Sequence, residues 1–179
     1  MTPARFPNGL ELRAGSELRA AGRKLTGYAA TFGTPAAIGG FTESIRAGAF
    51  TASLAVGNDV LALMDHDPTR LLARTGSGTL RLSEDSRGLA FELDVPDTQL
   101  GRDVLTLAER RDLGGMSFGF RVKDEAWPAR DRRELRAVEL VEISVVQAFP
   151  AYSQTSVAAR ARGAGGVDAM ARRRFLEMI

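Results

Sequence analysis

The stretch Leu89-Ala90-Phe91-Glu92-Leu93-Asp94-Val95 alternates large apolar residues with small or acidic ones. Successive side chains leave a β-strand on opposite faces, so a period of two marks a half-buried strand. The turn-forming run Glu84-Asp85-Ser86-Arg87-Gly88 precedes it, and a second strand over 79–82 precedes that, which predicts a hairpin. Outward from this hairpin, strands are predicted over 25–32, 41–45, 60–66, 71–75 and 116–122, with a long strand or bent pair over 135–147. Leu100, Val104, Leu107 and Ala108 recur at helical spacing, which predicts a helix opened at Pro96-Asp97 and stopped by Gly114-Gly115. A short helix is expected over 48–56, with loops over 34–40 and 127–131. Many antiparallel strands with one or two helices predict a mainly β (α+β) fold, an antiparallel β-barrel with a few surrounding helices.

A chain of 179 residues suits one domain with a real core. With no cysteine and one histidine, disulfides and thiol catalysis are excluded, and a zinc site would need several carboxylates. No metal and no cofactor are expected. No apolar run is long enough to span a bilayer, and residues 1–12 lack the apolar core of a secretory signal, so the default expectation is a cytoplasmic protein without membrane partners. The excess positive charge lies after Tyr152, in Arg160, Arg162, Arg172, Arg173 and Arg174. Residues 1–24 read as a mobile arm or an edge strand, 25–159 as the domain, and 160–179 as a basic tail with a joint at 163–166 and a short amphipathic helix over 169–179. The near-neutral core and scarce aromatics argue against specific nucleic-acid binding.

Three residues stand out chemically. His66, in Leu63-Met64-Asp65-His66-Asp67-Pro68, is the single candidate for an imidazole base. Ser117, in Gly114-Gly115-Met116-Ser117-Phe118-Gly119-Phe120, shares a strand face with Gly119 and Arg121, away from the bulky Met116, Phe118 and Phe120. A nucleophile needs such room. Glu142 interrupts the apolar run Leu140-Val141-Glu142-Ile143-Ser144-Val145-Val146, where a carboxylate is costly to bury without a partner. Each has a plainer reading: a serine bonded to a neighbouring strand, a half-buried histidine on a backbone carbonyl, an outward-facing edge glutamate. Glu139 and Ser144 are the alternatives for a third polar member. Together, His66, Ser117 and Glu142 suit a serine hydrolase, with an oxyanion site in Arg-bearing loops or at Gly114-Gly115. The absence of a Gly-x-Ser-x-Gly elbow at Ser117 argues against an α/β-hydrolase.

The chain resembles the prohead (capsid maturation) proteases of tailed phages and prophages. The landmarks run from about residue 27 to about residue 159. They are Gly27-Tyr28-Ala29 with Phe32-Gly33, Phe41-Thr42-Glu43-Ser44-Ile45 with Gly48-Ala49-Phe50, and His66-Asp67-Pro68 with Leu72 and Arg74-Thr75. Met116-Ser117-Phe118-Gly119-Phe120 and Glu142-Ile143-Ser144-Val145-Val146 with Pro150-Ala151-Tyr152 complete the order. The resemblance extends to the herpesvirus assemblin proteases, which implies a β-barrel surrounded by helices. It implies a serine endopeptidase with His66, Ser117 and a carboxylate at Glu142; the second histidine of the herpesvirus branch has no counterpart here. The implied partners are the major capsid protein with its scaffolding segment, and the chain itself through self-cleavage and a possible homodimer. The implied place of action is inside the procapsid in the bacterial cytoplasm. The rival readings are a catalytically inert capsid-assembly or scaffold protein on the same fold, and a basic-tailed nucleic-acid-associated protein.

Overall fold

The computed structural model describes residues 9–15 and 17–147. The alternating stretch forms β9 (Gly88–Asp94), with Leu89, Phe91 and Leu93 buried. It pairs on one side with β8 (Leu80–Glu84), as the predicted hairpin, and on the other with β3 (Lys24–Thr31). The outward Glu92 takes Lys24 at 2.6 Å and Arg81 at 2.7 Å from those flanking strands. With β2 (Glu17–Ala21) outside β3, these make a four-stranded antiparallel sheet.

A second, seven-stranded sheet is organised by the hairpin of β10 (Gly115–Ala129) and β11 (Arg132–Val146). β1 (Leu10–Gly15) runs antiparallel along the outer edge of β10. The other edge of β11 takes two separate parallel strands. β5 (Phe41–Ile45), followed outward by β4 (Ala36–Ile38), pairs with residues 132–135; β6 (Leu61–Met64), followed by β7 (Asp67–Arg74), pairs with residues 142–145. Between them the segment entering α1 (Thr51–Val56) occupies the gap. Val138 N–H donates to Ala49 O at 3.0 Å and Leu140 N–H to Ser53 Oγ at 2.9 Å. The edge of β11 thus keeps its donors satisfied where no strand adjoins it.

Apolar side chains from both sheets make one core. Phe118 stacks on Phe120 at 5.2 Å and meets the edge of Phe50 at 5.7 Å, among Leu25, Leu89, Phe91, Leu93, Met116, Ile143 and Val145. The mainly β expectation with two helices holds, but the two sheets do not close into a barrel: among the described residues no ladder joins an edge strand of one to an edge strand of the other. The helix over 99–110, α2 (Gln99–Arg110), starts later than predicted, because Thr98 is its N-cap and its Oγ1 accepts Gly101 N–H at 3.1 Å. It stops before the glycines, at Arg111 in the left-handed region. The predicted loop over 127–131 is mostly strand. Pro128 falls in an irregular stretch of the β10–β11 ladder, where its missing N–H removes no pairing, and Trp127 packs edge-on against Phe41 at 5.1 Å. Of the first two dozen residues, 10–15 and 17–21 are edge strands rather than a free arm. The predicted tail, its joint and its helix lie outside the described residues.

β1 is held by charge. Glu11 and Arg13 face the core side of the sheet with Glu43 of β5 and Arg133 of β11, all buried. Arg133 donates to Glu11 at 2.6 Å, to Glu43 at 2.9 Å and to Glu125 at 2.6 Å. Arg13 donates to Glu43 at 2.6 Å and to Glu11 at 2.7 Å, and its guanidinium lies 5.4 Å from the Phe120 ring. Burial, the largest influence, would push the Glu11 carboxyl up. The Arg133 hydrogen bond and the charges of Arg13 and Arg133 outweigh it and hold the carboxyl below its ordinary 4.5. A depressed carboxylate contributes stability that is present above its unfolded value and lost as pH falls through the folded one. Acid unfolding monitored by circular dichroism should therefore steepen below about pH 4.5, and Glu11→Gln should flatten that slope. Arg133→Ala leaves the buried Glu11 and Glu43 carboxylates to share the one guanidinium of Arg13, an excess of buried negative charge, and should cost about 3–5 kcal/mol in denaturant unfolding.

Candidate active site

The β10–β11 ladder sets Ser117 opposite Ser144 and Gly119 opposite Glu142. Directly opposed residues share a face, so these four line the side of the sheet away from the aromatic core. Ser117, Glu142 and Ser144 are all buried. Gly119 is what makes room: a methyl there would collide with Glu142 Oε1 and come within 3.0 Å of Leu12 Cδ2. The glutamate side chain thus lies across the bare backbone of β10, under Leu12 of the neighbouring strand.

The predicted strand over 60–66 ends two residues early. Met64 pairs with Asp67, and Asp65 and His66 form the two-residue turn between β6 and β7, with φ of 53° and 62°. Positive φ at both central residues is the signature of the hairpin turn that suits strand twist, and is normally given to Asn and Gly. With neither residue a glycine, the turn is strained by roughly 1–2 kcal/mol per residue. Contacts with β11 and its end hold it: Asp65 N–H donates to Val145 O at 2.9 Å, Asp65 Oδ1 accepts Gln147 N–H at 2.9 Å, and His66 N–H donates to Ser144 Oγ at 3.2 Å. His66 therefore does not share a strand face with Met64 and Ala62, as alternation predicted; the turn carries it over the Glu142 face.

There His66 Nδ1 lies 2.8 Å from Glu142 Oε1. A carboxylate only accepts, so Nδ1 carries a proton, and in the neutral imidazole Nε2 then keeps a lone pair. Ser144 Oγ donates to the second oxygen, Oε2, at 2.5 Å. Both oxygens of the buried carboxylate are thereby occupied, while the His66 side chain stays 23% exposed. Glu139, an alternative third member, is instead engaged by Lys123 at 2.5 Å and Arg121 at 3.1 Å. The Lys123 hydrogen bond, outweighing the opposing effect of burial, holds its carboxyl below the ordinary value.

The structure joins His66 to Glu142 and does not join Ser117 to His66. The Ser117 hydroxyl donates to Arg13 O of β1 at 2.8 Å, the bond to a neighbouring strand that was its plainer reading. Ser117 is nonetheless one strand from the His66 turn, because its cross-strand partner Ser144 accepts the His66 N–H. The Gly114 N–H donates to Val146 O at 2.8 Å, which removes it as an oxyanion donor. No metal-binding group of His, Asp and Glu occurs among the described residues. Reasoning from sequence missed the space reserved at Gly119, the Leu12 cover and the strained turn. The one signal for the first was a glycine two residues from Ser117 inside an otherwise bulky strand. Gly119→Ala should displace the Glu142 carboxylate and lower phosphonylation of the chain by a fluorophosphonate at least roughly 10²-fold, with thermal unfolding still cooperative.

Among curated proteins and among solved structures, nothing matches the chain. A family model described as the caudovirus prohead serine protease matches residues 10–169, a span containing every residue of this cluster. With that much of its length matched, the chain belongs to the caudovirus prohead serine protease family.

Proposed function

We propose that this chain is the serine endopeptidase of capsid maturation, that His66, Ser117 and Glu142 perform its chemistry, and that it removes the scaffolding segment of the major capsid protein. The observation that carries the reading is the 2.8 Å bond between His66 Nδ1 and a buried Glu142, which leaves Nε2 as a proton acceptor one strand from Ser117. Rotation about the Ser117 Cα–Cβ bond takes its hydroxyl off Arg13 O and toward His66. Nε2 then removes the proton as Oγ bonds to the scissile carbonyl carbon. The tetrahedral intermediate collapses as the peptide C–N bond breaks, and the imidazolium hands its proton to the leaving amine. Water, deprotonated by the same imidazole, hydrolyses the acyl-enzyme and restores Ser117. Glu142 keeps the imidazole in one tautomer and offsets its positive charge while it lasts. Self-cleavage and a homodimer belong to the same reading and draw only on the family.

The inert-scaffold reading draws on one observation, the resting bond of Ser117 to Arg13 O. Co-expression with the cognate major capsid protein, followed by intact-mass spectrometry, separates the two. We expect one discrete truncation of the capsid protein, absent with Ser117→Ala and with His66→Gln, each a loss of about 10³-fold or more. Glu142→Gln should cost on the order of 10⁴-fold in rate, because the wrong tautomer is then favoured. Truncation that persists in Ser117→Ala would move the nucleophile elsewhere. No truncation by a folded, co-assembled wild-type chain would favour the scaffold.

A further inference from the structure

Ser144 has no exposed surface and makes two bonds with one hydroxyl. A hydroxyl holds one proton and two lone pairs. The proton goes to Glu142 Oε2 at 2.5 Å, since a carboxylate cannot donate in return. A lone pair takes the His66 backbone N–H at 3.2 Å. Ser144 therefore grips both members of the His66–Glu142 pair, and does so from the register position opposite Ser117. Its two neighbours in the sheet, Ser117 of β10 and Leu63 of β6, are themselves buried.

We propose that Ser144 is the positioning residue of this site, acting through Glu142 and His66 rather than on substrate; the inference rests on the reading of Ser117 as nucleophile. The donated bond fixes the rotation of the carboxylate, so that Oε1 and not Oε2 faces Nδ1. The accepted bond helps to hold His66 at its positive φ of 62°, a conformation a non-glycine residue leaves readily when nothing restrains it. One hydroxyl thus fixes the imidazole at both ends, the ring through Glu142 and the backbone directly.

The test uses two readouts on the full chain. One is the rate of labelling by a fluorophosphonate, in which Ser117 Oγ bonds to phosphorus, fluoride leaves and His66 carries the proton away. The other is the nitrogen-15 spectrum of the imidazole, which is unambiguous because the chain has one histidine. Wild type should be labelled at Ser117 and show a single Nδ1–H tautomer. Ser144→Ala should lower the labelling rate roughly 10- to 100-fold and turn the imidazole into a mixture of tautomers. Ser144→Thr, which keeps the hydroxyl, should recover most of both. A Ser144→Ala chain that labels at the wild-type rate with an unchanged Nδ1–H signal overturns the proposal. If Ser144→Ala does not fold, Ser144→Cys keeps the volume with a much weaker donor, and the same two readouts decide. If wild type is not labelled at Ser117, the nucleophile reading fails by itself, and the tautomer signal alone judges Ser144.

Discussion

Glu142 is the constraint around which the site is built. A carboxylate taken out of water is tolerable only when its oxygens are bonded, and the cost of leaving one bare is several kcal/mol. Both bonds come from residues brought close by the ladder. Ser144 lies two positions along the same strand, and His66 lies on the turn that ends the adjacent parallel strand β6. Satisfying Glu142 therefore requires β6 in its register with β11, the turn at 65–66 in its left-handed conformation, and a bare backbone at Gly119. Three local features that look unrelated in the sequence answer to one buried charge.

The register of β11 shows how one strand serves both a core and a site. Facing the core are Ile143 and Val145 at odd positions, but also Leu140 and Val138 at even ones. Strict alternation would put Leu140 beside Glu142 and Ser144. The ladder shifts between Gly119 and Phe120, where Leu140 follows Glu142 as the next paired residue and Val141 is left out. That bulge resets the parity, so Leu140 returns to Phe120 while Glu142 stays with Gly119. Bulges gather beside functional sites because they re-aim side chains without ending the sheet.

These features decide what was legible in the sequence. The strand over 88–94 was plain because its buried residues are apolar and its exposed ones are charged. β1 was not, because its pattern is inverted: Glu11 and Arg13 are buried while Leu10 and Leu12 are partly exposed. Alternation reports which residues share a face, but polarity names the buried face only when charges stay in water, and here four of them neutralise one another inside. His66, Ser117 and Glu142 could be singled out by residue type, and that Ser144 shares the face of Glu142 followed from spacing. The position of His66 could not be found that way, since Asp-His lacks the glycine of the Asn-Gly and Asp-Gly pairs that announce such a turn.

The strain at Asp65-His66 and the ionic cluster at Arg133 belong to one arrangement. A turn costing roughly 1–2 kcal/mol per residue survives only where its surroundings fix it more firmly than its own preferences oppose it. Much of that firmness comes from β11, which receives bonds from the turn through Val145 O and Ser144 Oγ. β11 is in turn locked at its far end, where Arg133 ties it to β1, β5 and β10 through Glu11, Glu43 and Glu125. β1 closes the circuit, because Arg13 gives its side chain to that cluster and its carbonyl to Ser117. The charges on the core face thus hold the strand that sets the resting orientation of the serine on the opposite face. A substitution in the cluster reaches Ser117 by way of the backbone of β1, without touching the residues that surround His66.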